Sequence, residues 1–325
     1  TMKQLTAIVC CMLIIACTSE RNDRERISFN EDWKFFLTKD AIDASDSMFD
    51  DEGWRVLDLP HDWSIEADFN RDNPAGTGGG ALPGGHGWYR KHFKMPESDK
   101  GKMIYIDFDG VYRNSTVWIN GQTLGFRPNG YISFRYDLTP YLNYGEEENI
   151  LVVHADNAGQ PNSRWYSGSG IYRNVWLVKT HPVHVDLWGS FVATPEVTSE
   201  KATVVVEITI RNNQDDARVE VVNKIVNVSG ATIAEKRQEI TIKGNNVQHL
   251  TETLEVPSPQ RWTLADPYLY SMVTEIRSNN KTIDTYETPF GIRTLRWDPA
   301  TGFYLNDKPT KILGVCLHHD LGCLG

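Results

Sequence analysis

Apolar and polar residues alternate at every second position through much of this chain, and no long amphipathic helix stands out. The clearest stretch is 203–211. There Val204, Val206, Ile208 and Ile210 share one side, and Thr203, Glu207, Thr209 and Arg211 share the other, the period of a half-buried strand. Segments 103–108, 131–136 and 150–155 read as further strands. Segment 116–124 reads as a hairpin turning on Asn120-Gly121, a pair suited to the two left-handed conformations of a tight turn. Gly, Pro and Asn separate these strands, which predicts a β-sandwich from about Ile27 to Lys179. Its loops are long, notably 73–87, and long loops on a rigid sheet are where binding residues gather.

Thr180-His181-Pro182-Val183 reads as a crossing into a second unit. Strands predicted at 219–228, 239–243, 248–256, 269–277 and 281–287 join 203–211 to give roughly seven in about 100 residues, an immunoglobulin-like sandwich. Pro257, Pro259 and Pro267 bracket a loop holding Trp262. A third unit opens at Phe290, where 303–305 and 311–317 flank a turn at 306–309. The second of these runs delivers His318-His319-Asp320. Only 24 residues follow from Gly302 onward, against about 250 for a complete (β/α)8 barrel. The expectation is therefore an all-β chain: segment 1–26, a jelly-roll-like sandwich over 27–180, an immunoglobulin-like sandwich over 181–289, and the first strand of a truncated barrel over 290–325.

Lys3 precedes an apolar stretch over 5–16, too short to span a bilayer as a helix and shaped like an export signal. It ends Ile14-Ile15-Ala16-Cys17, which resembles a bacterial lipoprotein signal with Cys17 as the lipidated residue and 18–26 as a tether. This predicts an exported protein of a Gram-negative bacterium, periplasmic or anchored to the outer membrane through the lipid. Of five cysteines, Cys316 and Cys323 are left once this segment is set aside, so no disulfide scaffold is expected. Cys316 sits in a strand pattern and reads as a small buried hydrophobe. No Cys/His spacing suits a metal. A net charge of −10 without a basic stripe excludes a nucleic-acid partner. The glycines of 78–87 lack the Lys-Ser/Thr ending of a phosphate cradle and precede a strand, so they predict a flexible surface loop. Asp62, Glu66 and Asp68 read as ordinary acidic surface.

Several segments carry a more specific signal in combination: Gly87-Trp88-Tyr89-Arg90-Lys91-His92-Phe93, Val117-Trp118-Ile119-Asn120-Gly121, Asn129-Gly130-Tyr131-Ile132-Ser133-Phe134, Ser163 to Trp176, Pro267-Tyr268-Leu269-Tyr270, Phe290-Gly291-Ile292-Arg293, and Gly302 onward. In this order they resemble glycoside hydrolase family 2, and Ser163–Trp176 and Leu313–Gly325 look most like its β-galactosidases from Bacteroidetes-type bacteria, with β-glucuronidases next. The resemblance implies a sugar-binding first sandwich and retaining hydrolysis by two glutamates about 5–5.5 Å apart. It places both glutamates beyond residue 325, so no catalytic residue is assigned in this chain and the chain alone is expected to be inactive. It implies that His318 contacts sugar hydroxyls, with His319 and Asp320 orienting it. His61-Asp62 falls where the family packs its first domain.

Arg164 opens a loop that the family extends toward the barrel mouth. Some branches carry an aspartate there; an arginine offers a fixed fork of donors to neighbouring hydroxyls, and a salt bridge inside the sandwich is the alternative. Trp165 and Tyr166 either stack on a sugar or pack in the core. The implied partner is a β-galactoside, with no identifiable cofactor, although the resemblance leaves room for a divalent or monovalent cation and for an oligomer. The implied activity is removal of terminal β-D-galactosyl residues. The alternatives are a β-glucuronidase or other family 2 glycosidase, and a non-catalytic carbohydrate-binding module.

Overall fold

The alternating segments form strands that stack face to face. The computed structural model describes residues 24–40 and 42–316. Its first ten strands are β1 (Glu25–Ser28), β2 (Trp33–Thr38), β3 (Arg55–Leu57), β4 (His86–Lys94), β5 (Met103–Phe108), β6 (Ser115–Ile119), β7 (Gln122–Arg127), β8 (Phe134–Asp137), β9 (Glu148–Asp156) and β10 (Val175–Thr180). They build a four-stranded sheet, β1-β10-β5-β8, and a six-stranded sheet, β3-β2-β4-β9-β6-β7. Between the sheets lie Trp33, Tyr89, Ile104, Ile106, Phe108 and Val153, all fully or almost fully buried. The Asn120-Gly121 turn joins β6 to β7 in the predicted place, with both residues at positive φ.

A second set of seven strands follows: β11 (Val183–Val197), β12 (Lys201–Asn212), β13 (Ala217–Val226), β14 (Thr232–Ile242), β15 (Asn246–Pro257), β16 (Tyr270–Ser278) and β17 (Lys281–Phe290). Sheet β11-β12-β15 packs on sheet β14-β13-β16-β17. Val204, Val206, Ile208 and Ile210 of β12 are in the core as their alternation requires. The long β11 was not anticipated. Its register shifts between Val185 and Ser190 and again between Ala193 and Glu196, and each bulge interrupts the period-2 signal. A small sheet, β18 (Leu295–Asp298), β19 (Gly302–Leu305) and β20 (Lys308–Pro309), closes the described part.

Three expectations are corrected. Residues 311–316 form no strand, and Ile312, Leu313 and Val315 are 60, 80 and 90% exposed. Cys316 is exposed rather than buried, because no described element pairs with or covers this run. The 78–87 stretch is not a free surface loop either. Leu82 is buried, and a Cβ added at Gly84 would fall 2.2 Å from the Asn157 carbonyl oxygen.

The two sandwiches meet through polar contacts. Arg24 donates through Nε and Nη2 to the buried Asp284, at 2.8 and 3.0 Å, and Val185 N–H donates to the same carboxylate at 2.7 Å. His184, fully buried, has Nδ1 2.8 Å from the His181 carbonyl and Nε2 3.4 Å from the Tyr105 hydroxyl. Burial drives the pKa of His184 down to about 4. His154, stacked on Trp88, is also held at about 4, by burial first and by neighbouring His86 second. Both folded values lie below the ordinary 6.5, so the unfolded chain binds more protons between pH 6.5 and 4, and stability falls as pH drops through that window. Calorimetry should show the melting temperature declining between these pH values; a flat profile would contradict the assignment of neutral histidines at buried His184 and half-buried His154.

Candidate carbohydrate-contacting loop

The loop between β9 and β10, residues 157–174, carries Arg164 on a folded support. Asn157 is buried at its base and donates to Ser169 Oγ at 2.7 Å and to the Gly168 carbonyl at 3.2 Å. Asn162 and Gln160 donate back to Asn157 Oδ1 at 2.6 and 2.9 Å. Asp62 reaches across from the segment after β3. Its carboxylate accepts from Ser169 N–H at 2.9 Å, from Ser64 N–H at 3.0 Å and from the Tyr166 hydroxyl. Gly170, at φ +114°, exchanges two backbone hydrogen bonds with Tyr112; a Cβ there would lie 2.2 Å from the Tyr89 hydroxyl. Only glycine lets the loop lie this close to the core.

These contacts divide the loop. Residues 166–170 are a buried floor, whereas Arg164 and Trp165 are exposed on its rim. Tyr166 packs in the floor, as the core alternative required; Trp165 does not. Trp165 Nε1 lies 3.5 Å from the Tyr131 hydroxyl, and the Tyr131 ring meets Tyr112 edge-on at 5.4 Å. Burial, first among the causes, pushes the Tyr131 hydroxyl up from its ordinary pKa, so it stays protonated near neutral pH. The space beneath the loop is ≈10 Å³, room for about one water. Any sugar contact therefore belongs to the rim.

The salt-bridge alternative for Arg164 fails. Among the described residues no hydrogen bond or ion pair involves its side chain. An exposed guanidinium next to an exposed indole can donate to adjacent hydroxyls while the ring covers an apolar sugar face.

Asp62 and Glu66 are not ordinary acidic surface. Glu66 accepts from Arg55 at 2.7 and 3.0 Å and lies 3.3 Å from Nε2 of buried His61, whose Nδ1 is 2.8 Å from the Tyr89 hydroxyl. The structural role expected of His61-Asp62 is visible in these bonds. Sequence reading missed Asp62 as the anchor of the Arg164 loop. The local signal was there, since Asp62 accepts from the amide two residues on, a capping pattern, but the partner Ser169 is 107 residues away. His318, His319, Asp320 and Cys17 lie outside the described residues. Among the described residues no group of three or more His, Cys, Asp or Glu is arranged to hold a metal ion.

Comparison with known proteins agrees with this architecture. The family model described as "Glycosyl hydrolases family 2, sugar binding domain" matches residues 27–182, and "Glycosyl hydrolases family 2" matches 183–293. The chain is 52% identical over 313 residues to the β-galactosidase BoGH2A of Bacteroides ovatus, covering 95% of this chain and 36% of that protein. It is 39% identical over 320 residues to a putative β-glucuronidase of Formosa agariphila, covering 98% and 30%. A solved structure of a glycosyl hydrolase family 2 member from Bacteroides cellulosilyticus superposes with a TM-score of 0.87 at 37% identity, covering 92% of this chain and 40% of that one. The chain thus spans 30–36% of the length of these two curated relatives.

Proposed function

Because the chain belongs to glycosyl hydrolase family 2, we propose that it forms the N-terminal, accessory part of a retaining exo-β-galactosidase acting on terminal β-D-galactosyl residues of oligo- or polysaccharides. The observation that carries this reading is the 52% identity to a β-galactosidase along almost the whole chain, against 39% to the putative β-glucuronidase. The guanidinium of Arg164, unpaired among the described residues, supports it as a donor to sugar hydroxyls.

In this proposal the reaction divides between two bodies. A barrel following residue 325 supplies both glutamates, one as acid/base and one as nucleophile, at the short separation that retention requires. His318 holds a sugar hydroxyl at the end of the first barrel strand, where barrel sites lie, and His319 and Asp320 fix its ring. Arg164 and Trp165 approach from the first sandwich and orient the sugar. Orientation of this kind raises turnover by holding the bond to be broken in line with the catalytic groups.

The test is hydrolysis by the longer gene product. We expect cleavage of p-nitrophenyl β-galactoside with retained anomeric configuration, and none by purified 1–325. Preference for the β-glucuronide would replace this reading with the second one, for which the Formosa agariphila relative speaks. Turnover by 1–325 itself would overturn the division of labour.

The same proposal places the protein on a membrane through a lipid on Cys17. Cys17→Ser should move the expressed protein from the membrane fraction to the soluble one. Unchanged partitioning would remove the anchor.

A further inference from the structure

A groove of ≈360 Å³ lies between the two sandwiches, away from the Arg164 loop. One wall is the outer face of sheet β1-β10-β5-β8, presenting Arg26, Asp107, Asp109 and Arg135; the other is β11 and β17, presenting Trp188 and Glu287. The volume falls within the range of about 300–1,000 Å³ usual for small-molecule sites.

Trp188 is the feature hardest to explain as packing. Its indole is 68% exposed, and its backbone sits at φ +52°, a conformation that bulky side chains rarely adopt. It stands on the bulge where the β11 register shifts between Val185 and Ser190. The fold thus holds a large apolar ring out into a groove in an unfavourable backbone conformation. Such outliers cluster where a ligand is gripped.

Charge decides what kind of ligand fits. Arg135 is locked in a two-pronged bond to Asp107, at 2.6 and 2.8 Å. Arg26 stacks 3.7 Å above Trp176 and lies 3.8 Å from Asp109, whose other oxygen accepts from Trp176 Nε1 at 2.9 Å. Each of these guanidiniums already faces a carboxylate, so an anionic ligand finds no uncompensated positive charge. Glu287, on the other wall, is exposed with no ion pair among the described residues. The groove therefore presents carboxylates and paired guanidiniums with little net charge around a flat apolar ring. Hydroxyl pairs on a neutral pyranose match both requirements, because each hydroxyl donates and accepts while the C–H face of the ring covers an indole.

We propose that this junction groove is a second, non-catalytic binding site for a neutral saccharide. The ring rests on Trp188, and its hydroxyls are held by the Asp107–Arg135 and Arg26–Asp109 pairs and by Glu287. The proposal goes beyond the galactosidase reading and does not depend on it.

Isothermal titration of the 325-residue chain with galactobiose, xylobiose, cellobiose and glucuronic acid tests it. At least one neutral disaccharide should bind, with one site per chain. Trp188→Ala should weaken that binding about tenfold or more, as truncating an aromatic anchor does, and Glu287→Gln should weaken it to a smaller extent. Both variants should keep the parent's melting temperature; if Trp188→Ala does not fold, Glu287→Gln decides. No binding by any neutral sugar at millimolar concentration overturns the proposal. So does equal or tighter binding of glucuronic acid, or neutral-sugar binding that neither substitution changes. A change of molar mass on Trp188→Ala without any sugar bound overturns it in favour of a protein interface. Release of monosaccharide during the titration would instead count against the inactive front end and leave the groove to be judged by the variants.

Discussion

Arg90→Met is expected to lower the unfolding free energy of the chain by about 3–5 kcal/mol, the usual cost of removing one partner of a buried ion pair. Arg90 is fully buried. Its Nε donates to Asp51 at 2.6 Å, Nη1 donates to the carbonyls of Ala44 and Asp46 at 2.7 and 2.9 Å, and Nη2 donates to that of Ser47 at 3.1 Å. All four acceptors belong to the connection between β2 and β3, which crosses the outer face of the six-stranded sheet and covers Trp88 and Val152 with Ala44, Phe49 and Trp54. Methionine keeps the stem against Phe49 but leaves three carbonyls and part of a carboxylate without partners. Burial pushes the Asp51 carboxyl up, yet hydrogen bonds from Lys34, His92 and Arg90 outweigh it and hold the pKa at about 2. Because that value is depressed from 3.8, the stability it contributes is present above pH 3.8 and is lost as pH falls toward 2. Urea denaturation followed by tryptophan fluorescence measures the effect. In the double variant Arg90→Met/Asp51→Asn part of the loss should be recovered, since no buried charge is left behind. A single variant within about 0.5 kcal/mol of the parent, the range of a neutral surface change, would mean that the connection is held by its apolar contacts alone.

Under the proposed galactosidase function, Arg164→Ala in the longer gene product should reduce kcat/KM for a β-galactoside about ten- to a hundredfold, the equivalent of one hydrogen bond from a charged group at about 1.5–3 kcal/mol. The melting temperature should not move, because the guanidinium is exposed and has no partner among the described residues whose loss would destabilise the fold. Arg164→Lys should recover little, since a point charge does not reproduce the fork. Asp62→Ala separates the two layers of the loop. It removes the acceptor for Ser169, Ser64 and Tyr166, so it should lower stability as well as turnover. Steady-state kinetics with thermal denaturation reads both. Full activity in Arg164→Ala would take this residue out of the substrate contact and leave Trp165 as the sandwich's contribution.

Much of the fold was legible along the chain, and particular residues show why. The alternation of Val204, Val206, Ile208 and Ile210 reports a strand whose one side is buried, and every member of that set is in the core. Asn120-Gly121 carries its turn in its own backbone preference, and the hairpin forms there. Where a bulge breaks the period, as in β11, the same signal goes silent. The ordered motifs from Gly87 to Arg293 pointed to the family to which the chain belongs.

The site was legible to a smaller extent. Arg164 stood out in its motif, but nothing nearby in the chain distinguished a free guanidinium from one paired inside the sandwich. Asp62 looked like surface acid until Ser169 and Tyr166 were seen to converge on it from more than a hundred residues away. Trp188 drew no notice, because its exposure and left-handed backbone follow from a register shift against β12.

What the sequence determined by itself was whatever depends on neighbours in the chain: strand periodicity, turn chemistry, the order of units and, through its motifs, the family. Only the tertiary structure decided which charges are already neutralised and which aromatic rings are left uncovered. Those are sums over groups that folding brings together from distant segments, and no local pattern contains them. The Arg90–Asp51 bond, the exposed Arg164 and the groove beneath Trp188 are all of this second kind.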